Sequence, residues 1–212
     1  MIDLVGAMRV LAAHRPIFNS EADFQPSLAL EIQRAHPSAR LRLEYRPVYL
    51  DRRGYLDLWV ADSGWAAAIE LKYFTRSLDL IRDEERFELL DQGAQDISRY
   101  DFVRDVERVE SVTRGRREVS GFAIALTNDS AYWRVPAQPR TTIDAAFRIH
   151  EGSMLAGERA WAASAGAGTT RGREKAHVLL GGYPLRWRDY SVVADGPAGT
   201  FRYLMVEVPA GT

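Results

Sequence analysis

The chain has 212 residues, 46% of them hydrophobic and 27% charged, and its formal net charge is −1. This balance argues against a protein that coats nucleic acid through bulk electrostatics, so any phosphate binding must be local. The absence of cysteine excludes disulfides, thiolate nucleophiles and cysteine-ligated zinc. No apolar run approaches the ~20 residues that cross a bilayer, and the first residues lack a signal-peptide layout, so we expect a cytoplasmic protein without membrane contact.

The predicted elements are of both kinds, and the length favours a single domain over residues 1–212. Helices are predicted over about residues 3–14 and over residues 20–35, where a His-Pro pair ends the second helix. A strand follows over residues 41–50. Residues 54–74, with the sequence GYLDLWVADSGWAAAIELKYF, are predicted to form a two-stranded hairpin.

The middle of the chain is predicted to be helical over residues 77–109, in two pieces, because Asp91-Gln92-Gly93 interrupts the apolar spacing. The remaining predictions are strands at 119–127, 176–183 and 201–208, a short helix at 141–150, and a mobile small-residue loop at about 163–175. Strands with intervening helices indicate an α/β layered domain with a mixed sheet.

The hairpin carries three charges, Asp57, Glu70 and Lys72, where its alternation leads one to expect apolar residues. If Ser63-Gly64 is a two-residue loop, counting outward from the loop places Asp57 opposite Glu70. Facing Cβ atoms in such a pair are about 4.5–5.5 Å apart, so two carboxylates there repel each other. A divalent cation between them removes the repulsion, and hard oxygen ligands suit magnesium or manganese.

Two alternatives to this metal-site interpretation stay open. A three-residue loop would set Asp57 opposite Ile69 instead. The charged face of the hairpin could also be solvated, with Glu70 and Lys72 as ordinary surface charges, although its other residues are aromatic or alanine.

A third carboxylate, Glu21, lies in the predicted helix before the hairpin. It falls within the apolar stripe of that helix and is therefore expected to point toward the core. The alternative is that Ser20 caps the helix and Glu21 only favours its positive end. Glu31, at the edge of the stripe, is the second candidate.

Together these residues resemble the PD-(D/E)XK phosphodiesterase superfamily, whose members have the restriction-endonuclease-like fold. The resemblance covers Ser20 to Lys72, with core motifs within residues 20–100, and its signature is Ile69-Glu70-Leu71-Lys72. It implies a three-layer core with a central mixed β-sheet flanked by helices. It also implies a Mg²⁺- or Mn²⁺-dependent nuclease with Asp57, Glu70 and Glu21 as metal ligands and Lys72 as the catalytic lysine.

The resemblance has two departures. The residue before the aspartate is Leu56 rather than proline, and Gln95 and Tyr100 are five apart rather than the four apart of RecB-like members. DNA is the expected substrate by resemblance alone, and double-strand cleavage by one such site would imply a homodimer.

The substrate backbone is expected to contact basic residues and one amide side chain. These residues are Arg116, Arg117, Arg171, Arg173 and Gln95. Two other functions stay open: a catalytically inactive nuclease-fold protein that binds nucleic acid or supports assembly, and a two-carboxylate glycosidase. Lys72 argues against the glycosidase, because a retaining mechanism needs two carboxyl groups and no partner lysine.

Overall fold

The structure, a computed structural model, describes residues 2–48, 54–136 and 142–211. Its helices are α1 (Leu4–His14), α2 (Glu21–Ala35), α3 (Gln95–Thr113) and the short α4 (Ala167–Thr170), with a 3-10 turn at Ala145–Phe147. Its strands are β1 (Arg40–Tyr45), β2 (Leu56–Asp62), β3 (Trp65–Phe74), β4 (Leu78–Arg82), β5 (Glu85–Leu89), β6 (Val119–Thr127), β7 (Met154–Arg159), β8 (His177–Pro184), β9 (Trp187–Val192) and β10 (Thr200–Val208).

The central sheet has six strands in the order β1-β2-β3-β6-β10-β9. Strands β3 and β6 run parallel, whereas the other neighbouring pairs in this sheet are antiparallel. Parallel neighbours need a crossover, and α3 lies within the connection between β3 and β6. The prediction of an α/β chain with a mixed sheet is confirmed.

Helices cover both faces of this sheet. Alternate residues of β3, such as Ile69 and Leu71, join the buried cluster that α1 and α2 contribute to on one face. Ala123 and Ala125 of β6 join the cluster formed with α3 on the other face. Small residues let α3 approach closely: a Cβ atom added at Gly121 would lie 2.9 Å from the Cβ of Val109.

The predicted helix at the start of the 77–109 segment is wrong. Residues 78–89 form the antiparallel β4–β5 hairpin instead, with Asp83 and Glu84 in the turn at φ values of 50° and 66°. Two successive positive φ values are the geometry of a tight hairpin turn. The buried residues Phe87 and Leu89 are two apart, which is the period of a strand rather than that of a helix.

The other predicted elements agree with the structure to different degrees. The strand predicted at 41–50 is observed as β1, and its residues 49 and 50 lie outside the described residues. The short helix predicted at 141–150 is wrong, since that segment contains a 3-10 turn of three residues, and residue 141 lies outside the described part. The predicted loop at 163–175 contains α4. Strands β7 and β9 were not predicted.

Strands β7 and β8 form a separate two-stranded sheet beside α3. Glu110 of α3, which is buried, accepts hydrogen bonds from the backbone N–H groups of Leu180 and Gly181 and from the Tyr183 hydroxyl. This carboxylate therefore ties the second sheet to α3. Across the described ranges, no helix is long and apolar enough to span a membrane.

Candidate functional site

The β2–β3 hairpin has the predicted two-residue loop. Its register pairs Asp62 with Trp65 and continues to Leu58 opposite Ile69, and Gly64 has the positive φ of 79° that such a loop favours. The three-residue alternative is therefore wrong. Extending the same count by one residue sets Asp57 opposite Glu70, at the point where β2 separates from β3.

Beyond this point the β2-side edge of β3 is covered by carboxylates instead of a strand. The Leu71 N–H donates to Asp57 Oδ2 at 2.6 Å, and the Tyr73 N–H donates to Glu21 Oε2 at 3.0 Å. Backbone N–H groups at an open edge need partners. Asp57 and Glu21 therefore have a structural role that the sequence interpretation did not consider.

The start of α2 agrees both with a cap at Ser20 and with a Glu21 side chain that reaches the sheet. Ser20 caps α2 by accepting a hydrogen bond from the Asp23 N–H, while the Glu21 side chain reaches the edge of β3. The second candidate, Glu31, pairs with Arg34 at 3.3 Å and lies ten residues further along the helix, about 15 Å away at 1.5 Å per residue. The structure thus brings Glu21, and not Glu31, to the hairpin charges.

Glu70 is buried against α3. It is 1% exposed, and its Oε1 accepts a hydrogen bond from Arg108 Nη1 at 2.8 Å. The solvated-face alternative is therefore wrong for Glu70, because this side of the hairpin packs beneath a helix. Burial, together with the nearby carboxylates of Asp105 and Asp57, raises the pKa of Glu70 well above its ordinary value, against the opposing effect of Arg108.

Lys72 lies between two carboxylates. Its Nζ is 3.0 Å from Asp105 Oδ2 and 3.9 Å from Glu21 Oε1, and it donates a hydrogen bond to the Leu71 carbonyl. Burial by itself lowers the pKa of Lys72, but the attraction of Asp105, Glu21 and Asp57 outweighs it and raises the pKa above its ordinary value. Lys72 is therefore an ammonium group at neutral pH.

Asp105 of α3 is the residue that links these charges. It is 1% exposed, and besides Lys72 it has Arg108 Nη1 at 3.5 Å and Arg104 Nε at 3.8 Å. Neither of its oxygens has a partner in hydrogen-bond geometry. Four carboxylates, Glu21, Asp57, Glu70 and Asp105, thus surround two central cations, Lys72 and Arg108.

The charge balance of this cluster bears on whether a metal ion would fit. Burial raises the pKa of Glu21 and of Asp57, as it does for Glu70, so the ionised carboxylates are incompletely compensated. Asp105 adds a buried carboxylate without a hydrogen bond. Within the described ranges, no three histidine, aspartate or glutamate side chains are grouped to hold a metal ion. Magnesium needs few protein carboxylates and keeps several waters, so the donor chemistry of Asp57 and Glu70 suits it.

A cleft of about 460 Å³ opens beside Lys72 and Glu21. The end of β5 and the residues that follow it, with Glu88, Leu90 and Gln92, line its other side. The cleft reaches the Lys72 and Glu21 end of the cluster, whereas Glu70 lies deeper under α3. A ligand in the cleft would therefore contact Lys72 and Glu21 and not Glu70.

The predicted substrate-binding residues are not gathered at this cleft. Arg116 donates hydrogen bonds to carbonyls at the end of α3, and Arg117 borders the tip of the β2–β3 hairpin. The β3–β6 register separates that end from Lys72 by six residues, about 20 Å at ~3.3 Å per residue.

The other two arginines follow α4, and the glutamine begins α3. Arg173 Nε is 3.7 Å from Asp101 Oδ1, one helical turn before Asp105. Arg171 is exposed. Gln95, the first residue of α3, donates to Asp129 Oδ2 at 3.1 Å. Of this group, Arg173 lies nearest along α3 to the acidic cluster, and the substrate role of each stays a prediction.

Asp105 and Arg108 are the site residues that the sequence interpretation missed. Asp105 falls between Phe102 and Val109 on the buried stripe of α3, which is the same signal that identified Glu21. A charged residue within an apolar stripe at helical spacing was therefore visible in the sequence. Its pairing with Lys72 was not visible, because Lys72 comes from β3, which packs beneath the helix.

Comparison with known proteins finds no family model, no curated protein and no solved structure that matches this chain. The fold and the site alone therefore define the class of protein: an α/β chain with a mixed six-stranded sheet and a cluster of carboxylates and a lysine where β2 separates from β3.

Removing the arginine that compensates Glu70 should destabilise the fold. We expect Arg108→Ala to lower the free energy of unfolding by about 3 kcal/mol at pH 8, because a buried charge loses its partner. The loss should be smaller at pH 5, where Glu70 takes up a proton more easily. Denaturant unfolding at both pH values measures this, with Arg114→Ala, an exposed position at the end of the same helix, as the control. Equal losses for the two variants would contradict the assignment.

Proposed function

We propose that this chain is a metal-dependent nuclease that hydrolyses phosphodiester bonds of nucleic acid, preferably DNA, on a restriction-endonuclease-like core. The observation that carries the proposal is the placement of Asp57, Glu70 and Lys72 on the hairpin beneath α3. A purely structural hairpin gains little from burying Glu70 next to two other carboxylates, since desolvation and repulsion both destabilise the ionised form.

Asp57 and Glu70 are the residues that would hold Mg²⁺ or Mn²⁺, with Glu21 as a third carboxylate at the edge of the group. The raised pKa values of all three support this role, because a bound cation would favour their ionised forms. When bound, such a cation supplies a water of lowered pKa and polarises a phosphoryl oxygen.

Lys72 acts as a cation rather than as a base. Its ammonium form is stabilised by Asp105, Glu21 and Asp57, so it can donate a hydrogen bond from Nζ to a phosphate oxygen of a strand in the cleft. In hydrolysis, the oxygen of water forms a bond to phosphorus as its proton passes to solvent, and the bond to the leaving oxygen breaks as that oxygen takes up a proton from solvent. Negative charge increases on the phosphoryl group in between. A fixed ammonium group beside that charge stabilises the transition state.

A second function has its own support. Glu70 is held by Arg108 at 2.8 Å, and Asp57 and Glu21 each accept a backbone N–H of β3, so each carboxylate already has a partner. The same residues therefore also suit a nuclease-fold protein that lacks activity and binds nucleic acid or supports assembly. Metal binding distinguishes the two proposals.

The deciding experiment is cleavage of linear and circular DNA, single- and double-stranded, by purified protein with Mg²⁺ or Mn²⁺. We expect cleavage that a chelator abolishes and that Asp57→Asn lowers at least ~100-fold. Cleavage of both strands would support a homodimer with two sites related by symmetry. Calorimetric titration with Mn²⁺ accompanies the assay. Absence of both cleavage and metal binding in the wild type would rule out the nuclease and favour the inactive protein.

A further inference from the structure

A second cleft lies on the α1 and α2 side of the sheet, at the far edge. It has a volume of about 620 Å³ and is lined by α1, β9 and the end of β4. Strand β9 is three strands away from β3, which is about 14 Å at ~4.8 Å per strand. None of the residues that line it belongs to the charged cluster or to the cleft beside Lys72.

Three arginines converge on this cleft: Arg9 from α1, Arg188 from β9 and Arg82 from the end of β4. Arg9 and Arg188 are exposed, and neither has a hydrogen bond or an ion pair with any residue in the described part of the chain. Arg82 is 3.5 Å from Asp83, an exposed pair of the kind that contributes little. Like charges placed together repel, and of the three only Arg82 has an ion-pair partner among the described residues, so this grouping contributes little to the stability of the chain.

Arg188 and Arg9 line the cleft together with Tyr203. Burial and, to a smaller extent, Asp3 raise the pKa of Tyr203, whereas Arg188 and Arg9 oppose that increase. Tyr203 lines the cleft, so the two positive charges face the same space from α1 and from the sheet.

The walls of the cleft are fixed by hydrogen bonds. The Tyr190 hydroxyl donates to the Arg15 carbonyl at 2.7 Å, and the Ser191 hydroxyl donates to the Pro16 carbonyl. Both bonds tie β9 to the segment that follows α1. The one acidic residue in the lining, Asp189, is paired with Arg202 at 2.8 Å. The cleft is therefore a preformed space in which Arg9 and Arg188 have no ion-pair partner among the described residues.

We propose that this cleft binds a phosphate group, either of a nucleic-acid backbone or of a small phosphate compound. Guanidinium groups donate two parallel hydrogen bonds to phosphate oxygens, and the volume lies within the range of small-ligand sites. Val5 and Ala12, which are partly exposed, supply an apolar wall for the sugar or base that carries the phosphate. This proposal goes beyond the nuclease proposal, since the cleft can bind phosphate whether or not the chain hydrolyses DNA.

The test is fluorescence anisotropy of a labelled single-stranded oligonucleotide, with pyrophosphate as a second ligand measured by calorimetry. Chelator is present throughout, so that hydrolysis does not interfere. The variant is Arg9→Gln with Arg188→Gln. The matched control is Arg40→Gln with Arg42→Gln, which removes two exposed arginines of β1, at the opposite edge of the sheet, and changes the net charge equally. Thermal unfolding checks that both variants fold.

We expect the cleft variant to bind at least ~10-fold more weakly than the wild type and the control variant to bind within ~2-fold of it. The salt dependence of oligonucleotide binding should also weaken, by about 0.7 in slope for each lost contact to a single strand. Weakening of the oligonucleotide alone would identify the backbone as the source, and weakening of both ligands would identify the phosphate group itself.

Three results would overturn the proposal: no binding of either ligand by the wild type, unchanged binding by the cleft variant, or equal weakening by both variants, which would indicate bulk electrostatics. The nuclease proposal is judged separately by the cleavage assay. DNA cleavage without binding at the cleft, or phosphate binding at the cleft without cleavage, would each separate the two proposals.

Discussion

Lys72→Ala should lower the rate of DNA cleavage by about 10³-fold, within the range typical of a single residue that acts on the reacting group. The reason is that its ammonium group is fixed by Asp105 at 3.0 Å and borders the cleft beside Glu21. The measurement is single-turnover cleavage with Mg²⁺ at saturating protein, which separates the chemical step from substrate binding.

The sequence offers a matched control, because its two lysines are Lys72 and Lys175. Lys175 is 73% exposed and pairs with Glu107, so Lys175→Ala should leave cleavage within ~2-fold of the wild type. Lys72→Arg keeps the charge beside Asp105 and therefore protects the fold. We expect it to cleave at least ~10-fold more slowly, since the guanidinium cannot reproduce the compact ammonium group. Normal cleavage by Lys72→Ala would exclude a catalytic lysine.

Glu70→Gln should abolish detectable cleavage and at the same time stabilise the fold at alkaline pH. Burial raises the pKa of Glu70 in the folded protein above its unfolded value of about 4.3. The folded state therefore binds this proton more tightly, and the free energy of unfolding falls as the pH rises from the unfolded pKa through the folded one. Glutamine removes that fall, because it does not ionise.

The expected gain is about 1–3 kcal/mol at pH 8, the usual cost of a buried polar group without adequate partners, and it should vanish near pH 4. Urea unfolding at the two pH values measures it, and Glu88→Gln, an exposed position on β5, is the control. Combining Glu70→Gln with Arg108→Ala should restore much of the stability that Arg108→Ala loses. A destabilised Glu70→Gln protein at pH 8 would show that the carboxylate is there for the ion pair with Arg108.

The elements that were predicted well are those whose local signals are strong. The Ser63-Gly64 loop predicted the register of the hairpin, because a two-residue turn with the period of two sets Asp57 opposite Glu70. The observed pairing then excluded the three-residue alternative. The bounds predicted for the strand over residues 119–127 match those of β6, since an apolar run of that length, following a turn, is typical of a buried strand. The cap at Ser20 and the stripe through Glu21 likewise follow from residues close together in the chain.

The sequence by itself thus determined the hairpin and the α/β class. It predicted Asp57 opposite Glu70 and Glu21 facing the core, each beside an alternative, and the structure set the register and placed the half-exposed Glu21 side chain at the edge of β3. The β4–β5 hairpin became visible only in the structure. Tertiary structure alone decided that Asp105 and Arg108 join the charged cluster and that Arg9, Arg82 and Arg188 share a cleft. The physical reason is that these groupings depend on contacts between elements distant in sequence, where packing and charge compensation outweigh local propensity. The neighbouring residues in the sequence predict which face of a helix or strand a side chain occupies. They do not predict which residues of other elements pack against that face.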